Sequence, residues 1–178
     1  MKRFFILLLK PLSFLPAILI LYVIFMFSAQ DGHDSGQLSH EISRQVVTIG
    51  SKVMGKDLSH EQIKHYTDKI HMPIRKLAHM TEYFFLAVAV AFPLYVYGLR
   101  GFPLLLVAGI FCVGAAALDE YHQSFVANRG PSVRDVLIDS VGVFFGIIVV
   151  RIVCWTALSG SRRRERIAAR KKKQSVRK

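Results

Sequence analysis

Three short clusters of ionisable and hydrogen-bonding residues stand out because apolar sequence surrounds them. Arg75, Lys76, His79, Glu82 and Tyr83 form the first. Spacings of three and four link Lys76 to His79, His79 to Glu82 and His79 to Tyr83, so on a helix they share one face. Asp119, Glu120, His122 and Gln123 occupy a single turn, and beyond Arg129 and Arg134 the residues Asp135, Asp139, Gly142 and Gly146 trace one stripe. Two chemistries suit these types. Cations beside helix N-termini can hold a phosphate or carboxylate. Carboxylates with an imidazole can ligate a divalent metal, or His79 can act as a general base oriented by Glu82.

The elements that must position them are membrane helices. About 20 apolar residues cross a bilayer, and four stretches approach this: 12–29, 77–99, 102–118 and 136–158. Lys2, Arg3 and Lys10 precede the first, which is too long for a signal peptide and lacks the small residue at the outer cleavage position. Pro16 and Pro93 lie inside spans, where neighbouring helices can satisfy the freed backbone groups. The expected fold is therefore an all-α four-transmembrane-helix bundle, a single domain over 1–158.

Orientation follows from Lys/Arg bias. The N-terminus, Arg100 in the 2–3 turn and the C-terminal tail are all basic, placing both termini in the cytoplasm of a multi-pass cell-membrane protein. Segment 30–76 is then external. The second span starts outside, the third ends outside and the fourth starts outside, so all three polar clusters fall at the outer leaflet and imply one outward-facing pocket. Ionisable groups at such depth are costly and mark function by default.

Leu38, Ile42, Val46, Ile49 and Val53 recur at helical spacing in the external segment, the mark of an amphipathic helix lying in the interface plane. Gly50 and Gly55 argue against its continuity. A second short pattern, Ile63, Tyr66 and Ile70, follows a capping box of Ser59 and Gln62.

The net charge of +12 is mostly one tail: residues 162–178 hold ten Lys/Arg against Glu165 alone. Such a block repels itself and is expected to be disordered over 159–178. Without interleaved aromatics or a nucleic-acid motif, it reads as an anchor to anionic lipid and not as a nucleic-acid binder. Cys112 and Cys154 lie in apolar segments and read as small buried hydrophobes. His33, His40, His60, His65 and His71 lack metal-ligand spacing and read as surface residues. No metal or cofactor is assigned.

Structural roles compete for the same side chains. Asp135 could cap the fourth helix, Arg129 could pair with Asp119 or Glu120, and Lys76 with Glu82. The Gly142 and Gly146 pair is better explained by close helix packing than by chemistry.

The strings RKLAHMTEYFFLAV (75–88) and LDEYHQSFVANRGPSVRDVLIDSVGVFFG (118–146), with FSAQDGHDS (27–35), resemble the VanZ-like family. Position by position, the resemblance implies site residues Lys76, His79, Glu82, Tyr83, Asp119, Glu120, Gln123, Arg129, Asp135 and Asp139, with Gly142 as a further motif position. The family's namesake is linked with low-level resistance to teicoplanin, a lipid-tailed glycopeptide, in Gram-positive bacteria, so the resemblance implies a part in lipoglycopeptide resistance.

Two function classes stand open. One is a pocket that binds an anionic lipid or lipid-linked cell-wall precursor headgroup, or a lipoglycopeptide. The other is a membrane-embedded hydrolase or transferase acting on a lipid headgroup, with His79, Glu82 and Asp119 as catalytic candidates. Against the enzyme, no serine or cysteine is placed as a nucleophile and no phosphatase or CDP-alcohol transferase pattern occurs. A transport path is least favoured, because Arg151 alone among the inner-half residues is ionisable.

Overall fold

The computed structural model describes the backbone of residues 11–175 and the side chains of residues 11–157. A 3-10 turn, Pro11–Phe14, leads into α1 (Leu15–Ser28), followed by α2 (Gly32–Val53), α3 (His60–Val96), α4 (Phe102–Gln123) and α5 (Val133–Ser175). No strand occurs among the described residues. Four segments are long and apolar enough to cross a membrane: Pro11–Ser28, α3, α4 and Val133–Ala157. The expected four-helix membrane bundle is thus the observed architecture, and its α3–α4 link is the tight Tyr97–Gly101 turn. Lys2, Arg3 and Lys10 lie outside the described residues.

Two boundaries differ from the sequence expectation. The Ile63–Ile70 pattern is not a separate short helix. It is the first part of α3, whose 37 residues span about 55 Å, far more than the ~30 Å of a bilayer core. Pro73 lies inside this helix, because an internal proline removes only one ladder hydrogen bond when packing holds the rest. At the other end of the chain, α5 runs as helix to Ser175, through a tail expected to be disordered. Ala, Arg, Lys and Gln there are good helix formers, and no proline interrupts them.

The caps obey local rules. Ser59 Oγ accepts from Gln62 N at 3.3 Å, while Gln62 Oε1 accepts from Ser59 N at 3.0 Å, the reciprocal box expected. Gly50 does not interrupt α2. Gly55 ends it in the left-handed region (φ 64°), where bonds from Gly55 N to Lys52 O and Lys56 N to Ser51 O close a Schellman motif.

The core is built from small and medium side chains: Tyr83, Leu86, Ala87, Val90 and Ala91 of α3, Leu104, Ala108, Cys112 and Ala116 of α4, and Val143, Ile147 and Val150 of α5. A Cβ on Gly142 would land on the Met80 carbonyl, and one on Gly146 would meet Phe84 O and Ala87 Cβ. These glycines therefore let α5 lie directly on α3, the packing role expected of them. Cys112 and Cys154 are free and buried. Large apolar side chains such as Phe85, Ile110, Phe111 and Trp155 point outward instead, as they must where the surroundings are hydrocarbon.

The α2 helix packs on the first half of α3 through small polar residues. Ser39, Ser43, Ser51 and Thr67 are buried, each hydroxyl returning to a carbonyl of its own helix. His40 Nε2 lies 3.0 Å from Asp68 Oδ1 across the pair. The stripe Leu38, Ile42, Val46, Ile49 and Val53 meanwhile faces outward.

Candidate functional site

The three polar clusters meet at one end of the bundle, where α4 ends and α5 begins beside the middle of α3. Lys76 Nζ donates to Asp135 Oδ1 at 2.6 Å, joining α3 to α5. Ser132 N donates to Glu120 Oε2 at 2.8 Å, tying the end of α4 to the entry of α5. Between them lies a cavity of about 190 Å³ lined by Met72, Arg75, Lys76, His79, Glu120, Gln123, Asn128, Arg129, Gly130, Asp135, Ile138 and Asp139.

Lys76, His79, Glu120, Gln123, Arg129, Asp135 and Asp139 among the anticipated residues therefore share one cavity. Glu82, Tyr83 and Asp119 lie outside its lining. Tyr83 is fully buried and Asp119 nearly so. Asp119 Oδ2 accepts from Gln123 Nε2 at 2.9 Å, which couples that deeper group to the cavity. His79 Nδ1 is 3.4 Å from Glu82 Oε2, within ion-pair range but outside hydrogen-bond geometry. Glu82 Oε2, Tyr83 Oη and Asp119 Oδ1 are buried without a hydrogen-bond partner among the described residues. His122 leaves the cluster, its ring 5.8 Å from that of Phe25 on α1.

The anticipated ion pairs are replaced by others. Lys76 takes Asp135, on another helix, and not Glu82. Arg129 donates through Nη2 to Phe27 O at 3.2 Å and pairs with neither Asp119 nor Glu120. Its Nε and Nη1 are buried and unpartnered. Burial, with Arg75 nearby, pulls the Arg129 guanidinium below its ordinary value.

The loop carrying Arg129 is clasped by the segment after α1, a feature the residue-type reading did not anticipate. Gly32 N donates to Ala127 O at 3.0 Å. Asn128, itself in the left-handed region at φ 57°, donates through Nδ2 to both Asp31 oxygens at 3.1 and 3.2 Å. A Cβ on Gly32 would run into Asn128 O, so only glycine permits this approach. Asp31 also caps α2 by accepting from His33 N at 2.7 Å. That N–H, with Asn128, holds the Asp31 carboxyl below the usual carboxylate range. The signal for this clasp lay in the FSAQDGHDS string, whose resemblance is to a family pattern and not to any chemical motif.

No three His, Cys, Asp or Glu side chains among the described residues converge tightly enough to hold a metal ion. The arrangement can instead bind a polar group. Cations and amides line the mouth, and His79 and Asp139 lie one turn deeper on their helices.

No curated protein and no solved structure matches the chain. The VanZ/LLP1 family model matches residues 13–154, a stretch that contains every residue lining the cavity and every anticipated site residue. The chain is a member of the VanZ/LLP1 family of membrane proteins.

Proposed function

We propose that the cavity opens at the outer leaflet of the cell membrane, with both termini cytoplasmic, and binds the headgroup of an anionic lipid or lipid-linked cell-wall precursor. Through that binding the protein contributes to tolerance of lipoglycopeptides such as teicoplanin. The supporting observation is Arg129, whose Nε and Nη1 are buried without partners in a cavity also lined by Arg75 and Lys76. An unmet buried donor costs about 1–3 kcal/mol, and an oxyanion in the cavity removes that cost.

The test is susceptibility. Wild type, Glu82→Gln and Asp119→Asn are expressed at equal membrane levels in a susceptible Gram-positive host, and teicoplanin and vancomycin tolerance are measured. The reading expects wild type to raise teicoplanin tolerance selectively and both substitutions, which disturb His79 and Gln123 in the cavity wall, to reduce the gain by degrees. Protection against neither drug sinks the resistance component.

The 3.4 Å approach of His79 to Glu82 favours a second reading, a hydrolase or transferase acting on a lipid headgroup with His79 as base. An enzyme loses turnover outright on Glu82→Gln, whereas a binder loses affinity in graded steps.

A further inference from the structure

The cavity is charged in two layers. On its outer side Lys76 is already neutralised by Asp135, and Glu120, which accepts from Ser132 N but keeps its charge, offsets only one of the two remaining guanidiniums. The cationic capacity left over is that of Arg75, for which no ion pair or hydrogen bond occurs among the described residues, and of the unpartnered Arg129 atoms. On its inner side the sign reverses. Asp139 lies four residues beyond Asp135 on α5, about 6 Å further into the bundle, and His79 lies about 4.5 Å beyond Lys76 on α3. Asp139 is 4% exposed and lines the cavity, with no hydrogen bond to another described residue. His79 is matched by Glu82, so the carboxylate of Asp139 leaves acid in excess at the floor.

A purely anionic ligand satisfies the mouth and is opposed by the floor. We infer that the cavity selects a dipolar headgroup, a phosphate at Arg75 and Arg129 joined by a short linker to an ammonium at Asp139. This rests on the headgroup reading above and names its chemical class. Size agrees: at about 190 Å³ the cavity is below the ~300 Å³ at which pockets for drug-sized ligands begin. It admits a small headgroup and leaves acyl chains, sugars and peptides outside.

The test uses the full-length protein in detergent, titrated with short-chain phosphatidylethanolamine and phosphatidylglycerol of identical acyl chains, with binding read by calorimetry and folding checked by thermal unfolding. Wild type is expected to bind the ethanolamine lipid about tenfold more tightly, as befits one charge-assisted hydrogen bond. Asp139→Asn should bring the two lipids within about twofold, while Arg75→Gln should weaken both by a similar factor. Displacement by soluble phosphoethanolamine as effective as by the lipid supports the dipolar class and assigns it to a free solute; weaker displacement supports it and assigns it to the membrane. If phosphatidylglycerol binds as well or better and Arg75→Gln weakens it, the dipolar inference is overturned and the headgroup site survives. If neither lipid binds, the dipolar inference falls, and the susceptibility test decides the headgroup site separately.

Discussion

Lys76 and Asp135, 59 residues apart in sequence, meet at 2.6 Å and fasten α3 to α5 at the mouth of the cavity. Both side chains are about one-third exposed, at 35% and 36%, so water screens the pair. A double-mutant cycle of Lys76→Met and Asp135→Asn, followed by thermal unfolding in detergent, is expected to give a coupling of about 0.5–1 kcal/mol. A coupling near zero means that the pair positions the cavity wall without stabilising the bundle.

The glycine stripe on α5 should be far less tolerant. Gly142→Ala places a methyl on the Met80 carbonyl, and overpacking of this kind costs about 1–3 kcal/mol. Gly109 and Gly114 on α4 face open space. Alanine at either should leave the unfolding midpoint unchanged or slightly raised, as helix propensity favours alanine over glycine. Equal effects at Gly142 and Gly109 would refute direct α3–α5 backbone packing.

Asp31 gives a pH signature. Its folded value is depressed by the His33 N–H and Asn128, so its contribution is present above the unfolded carboxylate value of about 3.9 and is lost as pH falls through the lower folded value. Asn at this position still caps α2, so Asp31→Asn isolates the charge. Unfolding midpoints of wild type and variant should differ at pH 7 and converge as pH drops below about 4. A gap that persists unchanged into acid assigns the effect to shape and not to charge.

The bundle and its polar end were legible because a membrane leaves few alternatives. Long apolar runs can only be helices, and three clusters at helix ends on one side can only converge. What composition and spacing could not supply was partner choice. Lys76 had Glu82 six residues on as its nearest acid in the span, a spacing that puts the two on different faces of the helix, and it bonds Asp135, since only tertiary packing brings α5 beside α3. The extent of α3 was missed for a related reason. The short Ile63–Ile70 pattern and the apolar span from residue 77 read as separate elements, but one helix runs through both and through Pro73 between them. The Asp31–Asn128 clasp joins two exposed loops 97 residues apart, and no periodicity encodes such a contact.

The outward stripe of α2 is the last element with a measurable consequence. Its serines are spent on α3, while Leu38, Ile42, Val46, Ile49 and Val53 are 45–82% exposed, an arrangement that is costly in water at about 25 cal/mol per Å² of apolar surface. The helix starts four residues after α1 ends, and its base is held to the loop after α4 through Gly32 and Asp31, so the bilayer surface is within reach. Tryptophan placed at Ile42 or Val46 in a Trp155→Phe background should be quenched by brominated lipids in reconstituted vesicles. Tryptophan at Thr48, on the polar face, should be quenched much less. Equal, weak quenching at all three positions would mean that α2 stands clear of the membrane and that its apolar stripe meets something other than lipid.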